Sequence, residues 1–244
     1  MRNLFLKIQF DGTAYHGWQV QQNALTVQET LQDALEQICS NRDNIVGCSR
    51  TDAGVHANMY CCNIRTESPI ACAKLVNALN ALLPRDIAAL ECKEVDWDFH
   101  ARYDCKSKEY IYKIWNSPNK HPFLYGYSLH YKYRLDEAML DSQAKDFIGT
   151  HDFTSFCAAG SSVEDTVRTV MNASVEREGD MLIFRVEADG FLYNMVRIMT
   201  GTLLDIAKGK IPQNSIPQII ASRNRFAAGQ TAPAHGLYLN NIHY

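Results

Sequence analysis

Arg50 and Asp52, one residue apart in a short polar stretch, are the pair of side chains best placed to do chemistry. On a turn, an arginine can contact a phosphate while the carboxylate points at the adjacent sugar. The stretch Cys48-Ser-Arg-Thr-Asp-Ala-Gly-Val-His-Ala57 joins two apolar runs, Ile45–Cys48 and Met59–Ile64. A loop between two such strands lies at the end of a sheet, where sites are built. Residue type alone does not decide the matter, because a loop aspartate is commonly a turn former or a helix cap. His151-Asp152 looks like half of a triad. No serine nucleophile motif accompanies it, and adjacent side chains on a strand point apart. The eight cysteines, at 39, 48, 61, 62, 72, 92, 105 and 157, include no Cys-x-x-Cys pair. A zinc site is therefore not indicated, and the cysteines read as buried reduced thiols of a cytoplasmic protein. There is no His-Glu-x-x-His and no phosphate loop.

The elements that must hold this stretch can be read from periodicity. Leu4, Leu6, Ile8 and Phe10 alternate as a half-buried strand that ends at Asp11-Gly12. Thr26 and Glu29 fit a capping box, and Val27, Leu31, Ala34, Leu35 and Ile38 follow at helical spacing. Ser68-Pro69 marks a second helix start, with Pro at the first helical position and Leu75, Val76, Leu79, Leu82 and Leu83 as its apolar face. Ile87–Val95 returns as strand. The first half reads β-α-β-β-α-β, the split βαβ, ferredoxin-like order that RNA-recognition modules also use.

The second half repeats that order loosely. Tyr110, Tyr112 and Ile114 alternate with Ile111, Lys113 and Trp115. His121–Tyr133 reads as the return of a long hairpin, and Leu135–Ile148 as an amphipathic helix stopped by Gly149. Val167–Glu176 and Met181–Ala188 flank the turn Glu178-Gly179-Asp180. Leu192–Ile206 and Ile216–Ala221 are helices, and Leu237–Ile242 is a last strand. The expectation is an α+β protein: two ferredoxin-like, RRM-like halves, 1–104 and 105–244, joined in one broad mainly antiparallel sheet with a central active-site cleft. The first half carries the Asp52 loop and the second completes the cleft.

The chain has 244 residues, 46% of them hydrophobic and 21% charged, which excludes disorder and low complexity. No apolar run approaches a membrane span, and the N-terminus lacks a signal-peptide pattern. Lys+Arg is 24 against 27 Asp+Glu, so an RNA partner would need its basic contacts gathered on one face. Residues 1–104 hold 9 basic and 13 acidic groups, and residues 105–244 hold 15 and 14. Arg50, Arg102, Lys106, Lys108 and Lys113 are candidates for that face.

Six blocks decide between these openings. Arg50-Thr-Asp-Ala-Gly-Val-His-Ala57 closely resembles the active-site signature of the tRNA pseudouridine synthase A family. Phe10-Asp-Gly-Thr-Ala-Tyr-His-Gly-Trp-Gln19 is similar to that family's N-terminal motif. Phe99-His-Ala-Arg102 with Lys108-Glu-Tyr-Ile-Tyr112, and His151-Asp-Phe-Thr-Ser-Phe156, continue the likeness. Gly190-Phe-Leu-Tyr-Asn-Met-Val-Arg197 and Ala232-Pro-Ala-His-Gly-Leu-Tyr-Leu239 complete it in the family's order. Ser49 departs from the pattern, where Gly often precedes the Arg; the residue is still small.

The resemblance implies an enzyme that isomerises uridine to pseudouridine at nucleotides 38, 39 and 40 of the tRNA anticodon arm, with no cofactor and no metal. It implies Asp52 as the catalytic residue. Tyr110 is implied as the tyrosine that contacts the target base, Arg50 as the residue that holds the flipped nucleotide, and Arg197 as the arginine near the aspartate. It also implies a homodimer. His56 reads as loop support or an RNA contact, Tyr112 as a packing residue, and Trp18 and Phe99 as core. Leu237 is a candidate uracil contact, and Gly54 allows the turn beside Asp52. The competing readings are a non-catalytic double RRM-like RNA-binding protein, a paralogue acting on another RNA, and a carboxylate-dependent hydrolase. The last would need a second acid near Asp52 or a metal cluster, and neither is evident.

Overall fold

The computed structural model describes residues 1–161 and 163–244. Along the chain the elements are β1 (Arg2–Phe10), α1 (Val27–Cys39), β2 (Ile45–Gly47), β3 (His56–Thr66), α2 (Cys72–Leu82), β4 (Ile87–Val95), β5 (Ser107–Trp115), β6 (Leu129–His130), α3 (Glu137–Lys145), β7 (Gly149–Asp152), β8 (Val167–Glu178), β9 (Met181–Ala188), α4 (Met195–Ala207), α5 (Ile216–Ser222) and β10 (Leu237–His243). Short 3-10 turns cover Pro122–Leu124, Thr154–Phe156, Arg225–Ala227 and Ala234–Gly236. The α+β expectation holds, with strands mostly antiparallel. The chain forms two compact units, Met1–Lys106 with Tyr238–Tyr244, and Ser107–Leu237.

In the first unit β3 is inserted between β1 and β2 and runs antiparallel to both, and β4 flanks β1. That is the expected split βαβ arrangement. Leu4, Leu6 and Ile8 are fully buried, as their alternation requires. Thr26 Oγ1 accepts the Glu29 N–H at 3.4 Å and so caps α1. Ile38, at the far end of that helix, is only half-buried. The second helix begins later than expected, at Cys72 rather than at Pro69. Thr66 and Ser68 side chains instead accept the N–H groups of Ser68 and Ile70, which holds the segment in turns. Only Leu75 and Leu79 of α2 are buried.

In the second unit β9 lies between β5 and β8, and β7 adds an edge strand beyond β8. Gly179 and Asp180 close the β8–β9 hairpin, with Glu178 opposite Met181 and Gly179 at φ +60°. The expected hairpin return over His121–Tyr133 is absent. That segment makes a 3-10 turn and then the two-residue β6, which runs parallel to β5. The helix expected from Leu135 starts at Glu137, after Asp136 accepts the Met139 N–H at 3.0 Å. Helix α4 is buried on nearly every side, which leaves Arg197 and Ala207 as its only residues outside the core. The last strand, read from sequence as the end of the second half, pairs in parallel with β3 of the first unit: Tyr238 opposes His56 and Leu239 opposes Ala57.

A buried amide pair ties the Phe99–Arg102 block to the sheet. Asn63 Nδ2 donates to Asn3 Oδ1 at 2.9 Å, and Asn63 Oδ1 accepts the Ala101 N–H at 2.9 Å. Asn3 Nδ2 in turn donates to the Asp96 and Phe99 carbonyls. Replacing Asn63 by Leu strands the Ala101 N–H and the Asn3 side-chain oxygen in the interior. The expected loss is about 1–3 kcal/mol, seen as a lower urea midpoint with an unchanged slope.

Candidate active site

The Asp52 loop is held by the backbone of the Phe10–Gln19 block. Trp18 N–H donates to the Thr51 carbonyl at 3.2 Å, and Gly54 N–H donates to the Tyr15 carbonyl at 3.1 Å. Inside the loop, Val55 N–H donates to the Asp52 carbonyl at 3.2 Å, with Gly54 at φ +75°. Two glycines let the segments meet. A Cβ on Gly12 would overlap the Val55 carbonyl, and one on Gly17 would overlap the Thr51 carbonyl and lie 3.1 Å from the Asp52 carbonyl carbon. Gly17 also sits at φ +84°, where L side chains are disfavoured.

Side chains build the floor. Trp18 is buried and stacks on Tyr60 with ring centroids 4.0 Å apart, and Tyr60 donates its hydroxyl to the Ser49 carbonyl. Gly47 lies beneath this pair with no room for a side chain. Tyr15 donates to Asp86 Oδ1 at 2.7 Å; burial, and then the bond to Asp86, pushes its phenol pKa up. His56 is buried, accepts the Gly12 N–H on Nδ1 at 3.1 Å, and lies flat against the Tyr238 ring at 4.7 Å. Its place is in the scaffold of the loop. On that scaffold Asp52 is half-buried and Arg50 exposed.

The second unit carries the other candidates. Tyr110 is on β5 opposite Val186, 5% exposed, with its ring edge-on to Phe191 at 4.9 Å. Tyr112 is fully buried and donates to the Pro233 carbonyl at 2.8 Å, the packing role expected for it. Its phenol pKa is raised by burial, with the charge of Arg197 acting the other way. Arg197 leaves the first turn of α4 and donates through Nε to the Ala232 carbonyl at 2.7 Å and through Nη1 to Asn194 Oδ1 at 2.6 Å. Leu237 is buried at the start of β10. Lys108 is buried rather than solvated, and burial lowers the pKa of Lys113 on the same strand. Asp152 is no triad member: Oδ1 accepts from the Thr154 and Thr166 hydroxyls, which lower its pKa, and Oδ2 faces Arg223.

No group of three or more His, Cys, Asp or Glu among the described residues is arranged to hold a metal ion. Cys48, Cys61 and Cys62 are buried and the other five thiols only half-buried; burial pushes Cys61 up to about 12.

A family model described as tRNA pseudouridine synthase matches residues 7–104 and 143–244. The chain belongs to the tRNA pseudouridine synthase family. It is 48% identical to tRNA pseudouridine synthase A of Acetivibrio thermocellus over 244 residues, all of both chains. The corresponding proteins of Thermoanaerobacter sp. and Ruminiclostridium cellulolyticum are each 45% identical, again over the full length of both chains. The matched stretches of this pseudouridine synthase include Arg50, Asp52 and Arg197, while Tyr110 falls between them.

Sequence reasoning singled out Gly54 and read Gly12 as a turn, but missed the close backbone approach at Gly12 and Gly17. It also missed the Tyr15–Asp86 bond and the two buried asparagines. The available signal was polar or glycine residues interrupting otherwise apolar segments. The glycine clamp is tested by comparing two substitutions. Gly126 is at φ +82° with nothing near a new Cβ. Gly126→Ala should cost about 1–2 kcal/mol, the backbone penalty alone. Gly17→Ala has the same penalty plus a collision with backbone, so its thermal midpoint should fall clearly further.

Proposed function

We propose that this protein isomerises uridine to pseudouridine at positions 38, 39 and 40 of the tRNA anticodon arm, with Asp52 as the catalytic carboxylate. What supports the reading is a half-buried aspartate on a loop clamped by backbone contacts, inside a stretch matched by the family model. The reaction breaks the bond from ribose carbon 1 to uracil nitrogen 1 and forms one to carbon 5. The carbon 5 proton is lost and nitrogen 1 gains one. A uridine stacked in a stem cannot turn in this way, so it is first flipped out, which costs a few kcal/mol.

Asp52 acts as nucleophile at the sugar, or as the base in a route through an elimination intermediate. Both roles need an ionised carboxylate. Arg50, exposed beside it, holds the flipped nucleotide through a phosphate or by filling the vacated stack. Tyr110 offers the base a ring face and a hydroxyl near carbon 5, and Arg197 serves substrate binding. The chemistry calls for no cofactor. No helix among the described residues is long and apolar enough to cross a membrane. We place the enzyme in the cytoplasm, as a homodimer whose two copies supply a tRNA-sized basic surface.

Asp52→Asn keeps the size of the side chain and removes its charge. Tritium release from tRNA labelled at carbon 5 of uridine should drop to background, while filter binding shows tRNA affinity close to wild type. Wild-type turnover in that variant would remove Asp52 from the mechanism. Tyr110 divides binding from chemistry. If its hydroxyl acts at carbon 5, Tyr110→Phe slows isomerisation and leaves affinity intact; Tyr110→Ala loses both. A fully active Ala variant would exclude the residue.

A further inference from the structure

Residues 116–135 contain no aspartate or glutamate, in a chain with 27 of them. They contain Lys120, Lys132 and Arg134, interleaved with Phe123, Tyr125, Tyr127, Tyr131 and Tyr133. The stretch lies between the two segments matched by the family model. It leaves β5 at Trp115 and returns beside it, with Tyr131 N–H donating to the Trp115 carbonyl at 2.8 Å. Four rings stand in solvent: Phe123 is 88% exposed, Tyr125 89%, Tyr133 63% and Tyr127 40%. Lys120 and Lys132 are exposed as well, and the Lys132 ammonium is 4.8 Å from the centre of the Tyr133 ring. Glu137 pairs with Arg134 and Arg177, and Asp205 with Lys208.

So many exposed rings in one stretch call for a partner. We propose that the segment 120–134 is a second RNA contact, a stacking platform for unpaired nucleotides of the bound tRNA. The inference rests on the tRNA reading above. Ring faces accept any base, and the interleaved cations neutralise the phosphates between bases. Charge argues for this occupant over a second copy of the chain. A two-fold contact of this segment with itself would bring together two stretches that carry cations and no carboxylate.

Two double variants of the full-length protein test the proposal, Phe123→Ala with Tyr125→Ala, and Lys120→Gln with Lys132→Gln. These side chains are exposed, so thermal midpoints should stay at the wild-type value. The probe is an unmodified tRNA transcript, titrated across a salt series. The ring variant should bind roughly fivefold or more weakly with an unchanged salt slope. The lysine variant should lower the slope by about 1.5, the share of two phosphates. Turnover at saturating tRNA should be unchanged in both. Wild-type affinity and slope in both variants would overturn the platform. So would a wild-type dimer that becomes a monomer in the ring variant on light scattering without tRNA, which would assign the rings to a second copy. Binding and turnover separate the two readings. A wild type that makes no pseudouridine, alongside weakened binding in the variants, refutes the isomerase and keeps the platform. A wild type that turns over, alongside variants that bind normally, does the reverse.

Discussion

At the Asp52 loop two stretches of backbone come so close that no side chain fits between them. Gly12 abuts the Val55 carbonyl and Gly17 abuts the Thr51 carbonyl. A packed side chain can swap rotamers, but a backbone contact has no such freedom. The carboxylate therefore inherits its position from β1 and β3, through hydrogen bonds from Trp18 and Gly54 that need this proximity. The Trp18–Tyr60 stack, His56 and Tyr15 then fill the space around the clamp. A loop held in this way is fixed by the sheet on which it rests, as the positioning of a reactive group requires.

The same device recurs in the second unit. Gly201 of α4 has no room for a side chain beneath the Gln230 carbonyl, and Gly229 rests on the backbone of Thr202. Thr202 Oγ1 accepts the Gly229 N–H at 2.9 Å. Arg197 lies one turn before Gly201 and closes on the Ala232 carbonyl. The guanidinium is thus placed by a helix that the core surrounds and by a loop pressed onto that helix. An arginine on a solvated helix would keep several rotamers, whereas this one is committed by two hydrogen bonds.

Elements with strong periodicity were legible in the sequence: β1 from Leu4, Leu6 and Ile8, α1 from Thr26 and its apolar face, and the β8–β9 hairpin from Gly179. The short strands β6 and β7 were not, although the three-residue β2 was. Two residues at β6 and four at β7 carry no period, and the parallel pairing of β6 with β5 has no local signature. Pro69 misled because the side chains of Thr66 and Ser68 compete for backbone N–H groups just ahead of α2. Asp52 was indistinguishable from a turn residue by type, and only the surrounding octapeptide marked it. Gly12 and Gly17 were invisible as clamps, since a close approach depends on partners far along the chain, Val55 and Thr51.

Strand β10 has a consequence for the order in which the molecule can be made. Its residues leave the ribosome long after those of β3, yet the two strands pair. During synthesis the edge of β3 at His56 and Ala57 must wait for nearly two hundred more residues before its final neighbour exists. The first unit's sheet therefore closes by a long-range contact, a slow class of folding event. Until then an unpaired edge beside the Asp52 loop is open to other chains. A nascent chain stopped short of residue 237 would keep the whole Asp52 loop and lack the strand that pairs beside it.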